Sequence, residues 1–180
     1  MIVSVLQVSD IERFLDFEEQ QNPESGRDGQ PHFHVYSAKQ PLDRASAAKT
    51  ALKRWSTPLD QRGWRRTWGL FDDSRVVGTL QLTGSDLDSS SHRVDLGMGL
   101  LKTHRQQGWG SKLLDTALHW ARLQEGIDWI DLGVFEDNPG AKRLYEKFGF
   151  VVQGTVPDQF RVDGISITNI AMSLWVTKAP

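Results

Sequence analysis

The stretch from residue 100 to residue 114 limits what this chain can fold into more than any other. Leu100 and Leu101 end an apolar strand, and the chain then runs through Lys102-Thr103-His104-Arg105-Gln106-Gln107-Gly108-Trp109-Gly110 and becomes a helix at Ser111. In a glycine-rich turn of this kind the first helical N–H groups have no intrahelical acceptor, and the helix dipole adds partial positive charge where they point. The turn therefore suits an anion, phosphate foremost, and it requires a sheet that delivers its strand to a helix.

The flanking pattern agrees. Val94, Leu96, Met98 and Leu100 alternate with Asp95, Gly97, Gly99 and Leu101, as a strand over residues 93–101 demands. Two glycines on one face imply a bulge or a close approach of another group to the backbone. After the turn, Leu113, Leu114, Ala117, Leu118, Trp120 and Ala121 recur at helical spacing, with a stop near Gly126. Residues 127–135 are rich in β-formers. Asn138-Pro139 then supplies an N-cap with proline at the first helical position, and Ala141, Leu144, Tyr145 and Phe148 share a helical face that Gly149 ends. Residues 150–156 and 160–175 read as two closing strands.

Before the turn, residues 2–8 form a strand, and Ser9-x-x-Glu12 makes a capping box ahead of Ile11, Phe14 and Leu15. Residues 20–40 read as a long polar loop. Its His32 and His34 have metal-ligand types but no third ligand nearby, and a solvated loop is the simpler expectation. Ala48, Ala51, Leu52 and Trp55 mark a second helix that must stop before Pro58. Residues 64–71 and 75–83 make a hairpin around Asp72-Asp73-Ser74, and the polar loop 85–91 is expected to be mobile. The order β α α β β β α β α β β gives an α/β rhythm in the second half, with antiparallel strands at each end.

At 180 residues and 38% hydrophobic content the chain has enough for one core, so residues 1–180 are expected to form a single domain. A net charge of -2 provides no overall field for nucleic acid or an anionic membrane. Lys53, Arg54, Arg62, Arg65 and Arg66 do alternate with Trp55, Trp64 and Trp68, which would suit single-stranded nucleic acid. They span a helix end, a loop and a strand, however, and no nucleic-acid partner is expected. The absence of cysteine excludes disulfides, thiolate metal sites and a cysteine nucleophile. No stretch has the apolar length of a signal or a membrane span, so the default is a soluble cytoplasmic protein, without metal and without a membrane partner. Seven tryptophans imply large apolar surfaces in the core or around a cleft.

A phosphate-binding turn of the nucleotide type would need Gly-Lys followed by Ser or Thr, whereas the order here is Gly110-Ser111-Lys112. A dinucleotide fingerprint would need three glycines and an acidic residue about 20 positions on, near the start of the fold. Arg105-Gln106-Gln107-Gly108-Trp109-Gly110 instead resembles the R/Q-x-x-G-x-G/A acyl-CoA loop of the Gcn5-related N-acetyltransferase superfamily. Asn138, Ala141 and Leu144-Tyr145-Glu146-Lys147-Phe148-Gly149-Phe150 are similar to that family's downstream N-x-x-A-x-x-L-Y-x-x-x-G-F segment. The resemblance covers about residues 64–175.

The resemblance implies an α/β (α+β) fold: a central mixed, largely antiparallel seven-stranded sheet, flanked by about four helices, with a splay between strands 4 and 5. It implies transfer of an acetyl group from acetyl-CoA, as co-substrate, to a primary amine of a small molecule, a peptide N-terminus or a lysine, by a monomer or homodimer. An acyl-CoA-binding module without turnover is the alternative. The amides of Gln107, Gly108, Trp109, Gly110 and Ser111, with Arg105, would hold the pyrophosphate. The strand edge at Leu100, Leu101 and Lys102 would pair with pantetheine, a Leu100 N–H would meet the thioester oxygen, and Asn138 would contact pantetheine or shape the splay. Tyr145 would protonate the leaving thiolate, unless it only packs with Leu144 and Phe148. Asp95 is the candidate base through water, with Glu136 and His104 as competitors, or else merely a solvated side chain. Deprotonating a lysine amine near pKa 10.4 at pH 7 costs about 4–5 kcal/mol, against about 1 kcal/mol for an α-amine near 8, so water can suffice for the latter. Many relatives carry Gly-x-Tyr-x-Asp before a stretch ending in Met; here Gly164 and Met172 are present, but Ser166 and Thr168 stand at the aromatic and acidic positions. Trp109 is bulkier than the aliphatic residue usual there, and its ring is expected to cover the cofactor or the adjoining helix.

Overall fold

In the structure, a computed structural model, residues 1–37 and 39–176 are described. Seven strands, β1 (Ile2–Val5), β2 (Arg65–Asp72), β3 (Arg75–Gly84), β4 (Arg93–Leu100), β5 (Trp129–Phe135), β6 (Val151–Val162) and β7 (Ile165–Trp175), form one sheet in the order β1-β2-β3-β4-β5-β7-β6. Every neighbouring pair is antiparallel except β4 with β5. Four α-helices accompany it: α1 (Ile11–Gln21), α2 (Arg44–Ser56), α3 (Trp109–Arg122) and α4 (Pro139–Lys147). The element order and the sheet are those expected.

The feature that positions the site is the parallel pair. β4 and β5 stay in register only from Arg93↔Trp129 to Asp95↔Asp131, while β5 continues against β7 as far as Phe135. From Leu96 onward β4 has left its neighbour, and the sheet opens there. Leu101 N–H donates to Val77 O at 3.0 Å, so the odd-numbered residues at this end of β4 direct their backbone groups to β3. By the alternation of an antiparallel ladder, Met98 and Leu100 direct theirs into the opening.

Packing holds both faces. Phe17, Leu70, Leu80, Leu113, Leu114 and Ile130 are fully buried in one core cluster that joins α1, the sheet and α3. Trp64 and Trp68 lie in it edge-on to Trp120, at 6.0 and 5.2 Å between ring centroids, so neither indole is free to stack on a base. Of the nearby cations, Arg62 pairs with Asp88, Arg54 with Asp86, and Arg66 donates to the carbonyls of Trp55 and Thr57.

Several boundaries differ from the sequence reading. The first strand stops at Val5, and the expected Ser9/Glu12 capping box does not form. The chain turns earlier, because buried Leu6 donates its N–H to Thr67 O at 2.7 Å and Asp10 accepts from Gln7 N–H at 2.9 Å across a short 3-10 turn, Val8–Asp10. α3 begins at Trp109, two residues before Ser111, and ends at Arg122, ahead of Gly126. At the other end, β6 runs through residues 157–159 as a register irregularity between Val156 and Phe160. Pro157 lacks a ladder N–H, which an edge strand tolerates. The reversal comes instead at Asp163 and Gly164, both left-handed with φ of 50° and 84°, the conformation a two-residue hairpin turn needs. Ser166 therefore stands beside a hairpin tip, close to Arg161 and Asp158.

Candidate active site

A cleft of about 590 Å³ occupies the opening between β4 and β5. One wall is Leu96 to Leu100, the other is Gly133, Val134 and Phe135, and the mouth is closed by the starts of α3 and α4. The turn at residues 105–110 explains the cleft's polarity. Gln106 and Gly108 are both left-handed, with φ of 60° and 85°, and their alternation with ordinary residues curls the amides inward into a nest. Among the described residues, the N–H groups of residues 106–111 have no acceptor; the next, of Lys112, closes the first helical turn on Gly108 O at 3.1 Å. A Cβ built on Gly108 would meet nothing within 4 Å, so the space over the nest is open.

The predicted site residues divide. Leu100, Arg105, Gly108, Gly110, Ser111, Asn138 and Tyr145 line the cleft. Arg105 points away from the nest: its Nε donates to Leu100 O at 2.8 Å, one terminal nitrogen to Gln30 at 2.7 Å and the other to Glu24, and the guanidinium lies 4.9 Å from the Phe33 ring centroid. It ties the turn to the loop after α1. Leu101 is buried with its N–H on Val77, and Lys102 N–H donates to the Glu24 carboxylate at 3.0 Å. The edge open to a ligand is thus Met98 and Leu100, one step earlier than residues 100–102. The Gln107 side chain returns to Thr103 O at 2.8 Å. Trp109 packs on the main core and does not line the cleft; its indole N–H is buried without a partner.

Asn138 is the N-cap of α4, where its side-chain oxygen accepts from Ala141 N–H at 3.1 Å. Two turns on, Tyr145 is buried against Phe150, and burial pushes its hydroxyl up to about 12. The Asp95 carboxyl is raised too, by burial first and Asp131 second, with Arg93 opposing. Asp95 sits at the closed end of the opening, opposite Asp131, outside the cleft. Glu136 is exposed beyond β5, and His104 faces Asp72 at 3.6 Å.

The loop between α1 and α2 contributes more than the sequence indicated. His32 is held by Asp137, at 2.7 Å to Nδ1 and 3.0 Å to its backbone N–H, and His34 Nε2 lies 2.9 Å from Asn22 O. Both histidines are half-buried and engaged with protein groups, where a solvated loop was expected. The signal for this docking was dispersed, since Asp137 lies 105 residues from His32. Gly97 and Gly99 do mark a close approach without a bulge: the Gln21 amide lies where a Cβ of Gly99 would be, and Gln81 lies over Gly97. Behind them a second cavity of about 510 Å³ lies between α1, α2 and the sheet, and the two abut at Gly97, Met98 and Gly99, which line both.

Among the described residues, no group of three or more His, Asp or Glu side chains is arranged to hold a metal ion, and no helix is long and apolar enough to cross a membrane.

Comparison with known proteins agrees with this geometry. An L-amino acid N-acetyltransferase of Escherichia coli, AaaT, is 31% identical over 83 residues, covering 46% of this chain and 51% of that protein. An uncharacterized N-acetyltransferase of Bacillus subtilis, YoaA, is 26% identical over 99 residues, 54% of each. The chain thus spans about half the length of the curated relatives it matches. Among solved structures, the fold is shared with a putative acetyltransferase of Salmonella typhimurium, yncA, determined with its cofactor acetyl-CoA, at a TM-score of 0.80 and 16% identity, covering 100% of this chain and 96% of that one. A GNAT-family acetyltransferase of Streptococcus pneumoniae gives 0.80 at 20% identity, covering 98% and 99%. The model of the acetyltransferase (GNAT) family matches residues 30–150, two thirds of the sequence, and the chain belongs to that family.

Proposed function

We propose that the chain is a single-domain N-acetyltransferase that moves an acetyl group from acetyl-CoA to a primary amine. The observation that carries this reading is the run of acceptor-free amides at residues 106–111, opening onto the cleft where β4 leaves β5. A diphosphate fits an open nest of this kind. The amides of Gln107, Gly108, Trp109, Gly110 and Ser111 hold it, each helix-end contact contributing about 0.3–1 kcal/mol. Met98 and the Leu100 N–H offer an unpaired strand edge to the amide-bearing pantetheine arm, as a sheet edge accepts an added strand, while Leu100 O is taken by Arg105. Arg105 serves by positioning, since it clamps Leu100 O and the 22–37 loop around the same opening.

At the reacting end, Leu100 N–H donates to the thioester oxygen as negative charge builds there, a contact worth about 2.7–4 kcal/mol in comparable sites. Asn138 fixes the start of α4 and so the far wall. Tyr145 is neutral at working pH and donates a hydrogen bond to the departing sulfur. With its hydroxyl near 12 and a thiol near 8.5, outright proton transfer would cost about 5 kcal/mol. Tyr145 therefore stabilises the thiolate by hydrogen bonding, and the sulfur's proton comes from solvent. Asp95, outside the cleft, makes no direct contact with the reacting atoms in this reading. In this reading the acceptor occupies the second cavity, whose lining shares Gly97, Met98 and Gly99 with the cleft. The substrate named for the Escherichia coli relative, an L-amino acid, heads the acceptor panel for that reason and because that relative is 31% identical over the matched region.

Thiol release from acetyl-CoA over a panel of amino acids, peptides and polyamines tests the reading. Amine-dependent release is expected. Tight coenzyme binding with no release for any amine would overturn it in favour of a binding module.

A further inference from the structure

The second cavity contains charged groups that the protein itself does not pair. The titratable groups that line it are Glu18 on α1, His34 and Tyr36 on the loop, Asp43 ahead of α2, and Arg65 on β2; α2, β3 and β4 add none. Asp43 is occupied as the N-cap of α2, accepting from Ser46 N–H at 3.1 Å. His34 is engaged at both ring nitrogens, Nδ1 with Tyr36 N–H at 3.2 Å and Nε2 with the Asn22 carbonyl at 2.9 Å. Arg54, the nearest other cation, pairs with Asp86 and donates to Gly63 O.

Glu18 and Arg65 remain. The Glu18 carboxylate has no hydrogen bond or ion pair among the described residues, although it is half-buried and lines the cavity. Arg65 spends its Nε on Thr83 Oγ1 at 3.2 Å, and its two terminal nitrogens have no partner among the described residues. The two attract each other electrostatically yet form no ion pair. Taking two opposite charges partly out of water without pairing them is costly, and a ligand bearing both complementary charges would relieve it. The order of the groups is equally informative. Glu18 lies one helical turn before Gln21, whose amide sits against Gly99 at the junction with the first cleft. Arg65 is in register with Thr83 and Asp95, one same-face step of about 7 Å beyond the row of Thr67, Gln81 and Gly97.

We propose that this cavity takes an acceptor bearing both an amine and a carboxylate, with Glu18 accepting the proton of the amine nearest the junction and Arg65 holding the carboxylate farther in. The assignment rests on the acetyltransferase reading above. The amine nitrogen forms a bond to the thioester carbonyl carbon, the carbon–sulfur bond breaks with its electron pair leaving on sulfur, and the proton lost by nitrogen passes to Glu18 and on to water. Burial pushes the Glu18 carboxyl up to about 7, with Arg65 pulling against it, which suits a base working near neutral pH.

The test compares free amino acids with their carboxamides as acceptors, by thiol release, with coenzyme A affinity measured separately by calorimetry. The expected result is a kcat/KM at least 10-fold higher for the free acids. Arg65→Met should bring that ratio near unity chiefly through KM, and Arg65→Lys should restore part of it; each ratio is internal to one protein, so loss of folded enzyme does not affect it. Glu18→Gln should lower kcat about 100-fold and remove the acid limb near pH 7. A wild-type ratio near unity or below, with turnover of simple amines intact, would overturn the acceptor assignment and leave the acetyltransferase reading standing. Absence of coenzyme A binding and of any turnover would overturn both.

Discussion

The two cavities meet at Gly97 to Gly99 yet are built from different materials. The first presents backbone at its two ends: a nest of amides at residues 106–111 and a strand edge at Met98 and Leu100. The second is made of side chains from α1, α2, β2, β3 and β4, with Glu18 and Arg65 as its unpaired charges. A backbone site recognises a shape and charge common to many relatives, since it needs only glycine at a few positions and a helix start. A side-chain site is rewritten by single substitutions. The contrast accounts for a donor that the chain's motifs name and an acceptor that they do not.

The contrast breaks most directly at Gly108. Gly108→Asp adds a carboxylate in the nest and forces a non-glycine residue to φ of 85°. Like charges about 4 Å apart at a partly exposed site cost about 4 kcal/mol of binding, while the backbone strain of about 1–2 kcal/mol falls on folding, since it is present with and without ligand. Coenzyme A affinity should therefore fall by about 1,000-fold by calorimetry; affinity within tenfold of wild type would remove the nest from the cofactor site.

Next in size is Tyr145→Phe, which should lower kcat about 100-fold, at the low end for a positioned donor, while coenzyme A affinity stays within threefold. Stopped-flow thiol release and calorimetry read the two quantities. Unchanged kcat would leave Tyr145 as a packing residue against Phe150.

Glu18 sharpens the comparison through stability. Its carboxyl ionises near 4.5 in the unfolded chain and near 7 in the native one, so the unfolded state gives up its proton first as pH rises. The native state is therefore penalised progressively between pH 4.5 and 7, and the penalty is fully present above 7. Glu18→Gln should raise stability at pH 8 by about 1–3 kcal/mol, by urea unfolding, and much less at pH 4. A purely structural carboxylate would destabilise on removal. Gain of stability with loss of turnover is the pattern expected of a functional group held against its solvation preference.

The smallest effect is expected at Asn138→Ala. Losing the cap on Ala141 N–H should cost about 1 kcal/mol of thermal stability, measured by calorimetry, with a modest rise in KM for acetyl-CoA. A large KM effect with no stability change would give Asn138 a direct cofactor contact instead of a role in the wall.

Much of the fold was legible because its signals are local. The strand-turn-helix at 93–122, the Asn138-Pro139 start and the hairpin turn before β3 each rest on neighbours within a few residues, where alternation, caps and glycine act. The boundaries that moved were settled by distant partners: Leu6 by Thr67, and the long β6 by its pairing across the turn at Asp163 and Gly164. Arg105 shows the same limit within the site. Its motif marked it for the phosphates, but Gln30 and Glu24, far away in the chain, direct it to hold the loop.

From its residue order alone the chain specified a strand, a glycine-rich turn and a helix start, and with them membership of the acetyltransferase (GNAT) family, because those features depend on backbone conformation and nearest neighbours. Folding was needed to bring Glu18 and Arg65, 47 positions apart, onto one cavity, and to separate β4 from β5 so that the cleft beside it opens onto the nest. Neither residue carries a motif. What sets them apart is that they share one cavity and form no ion pair among the described residues, which are properties of packing in space.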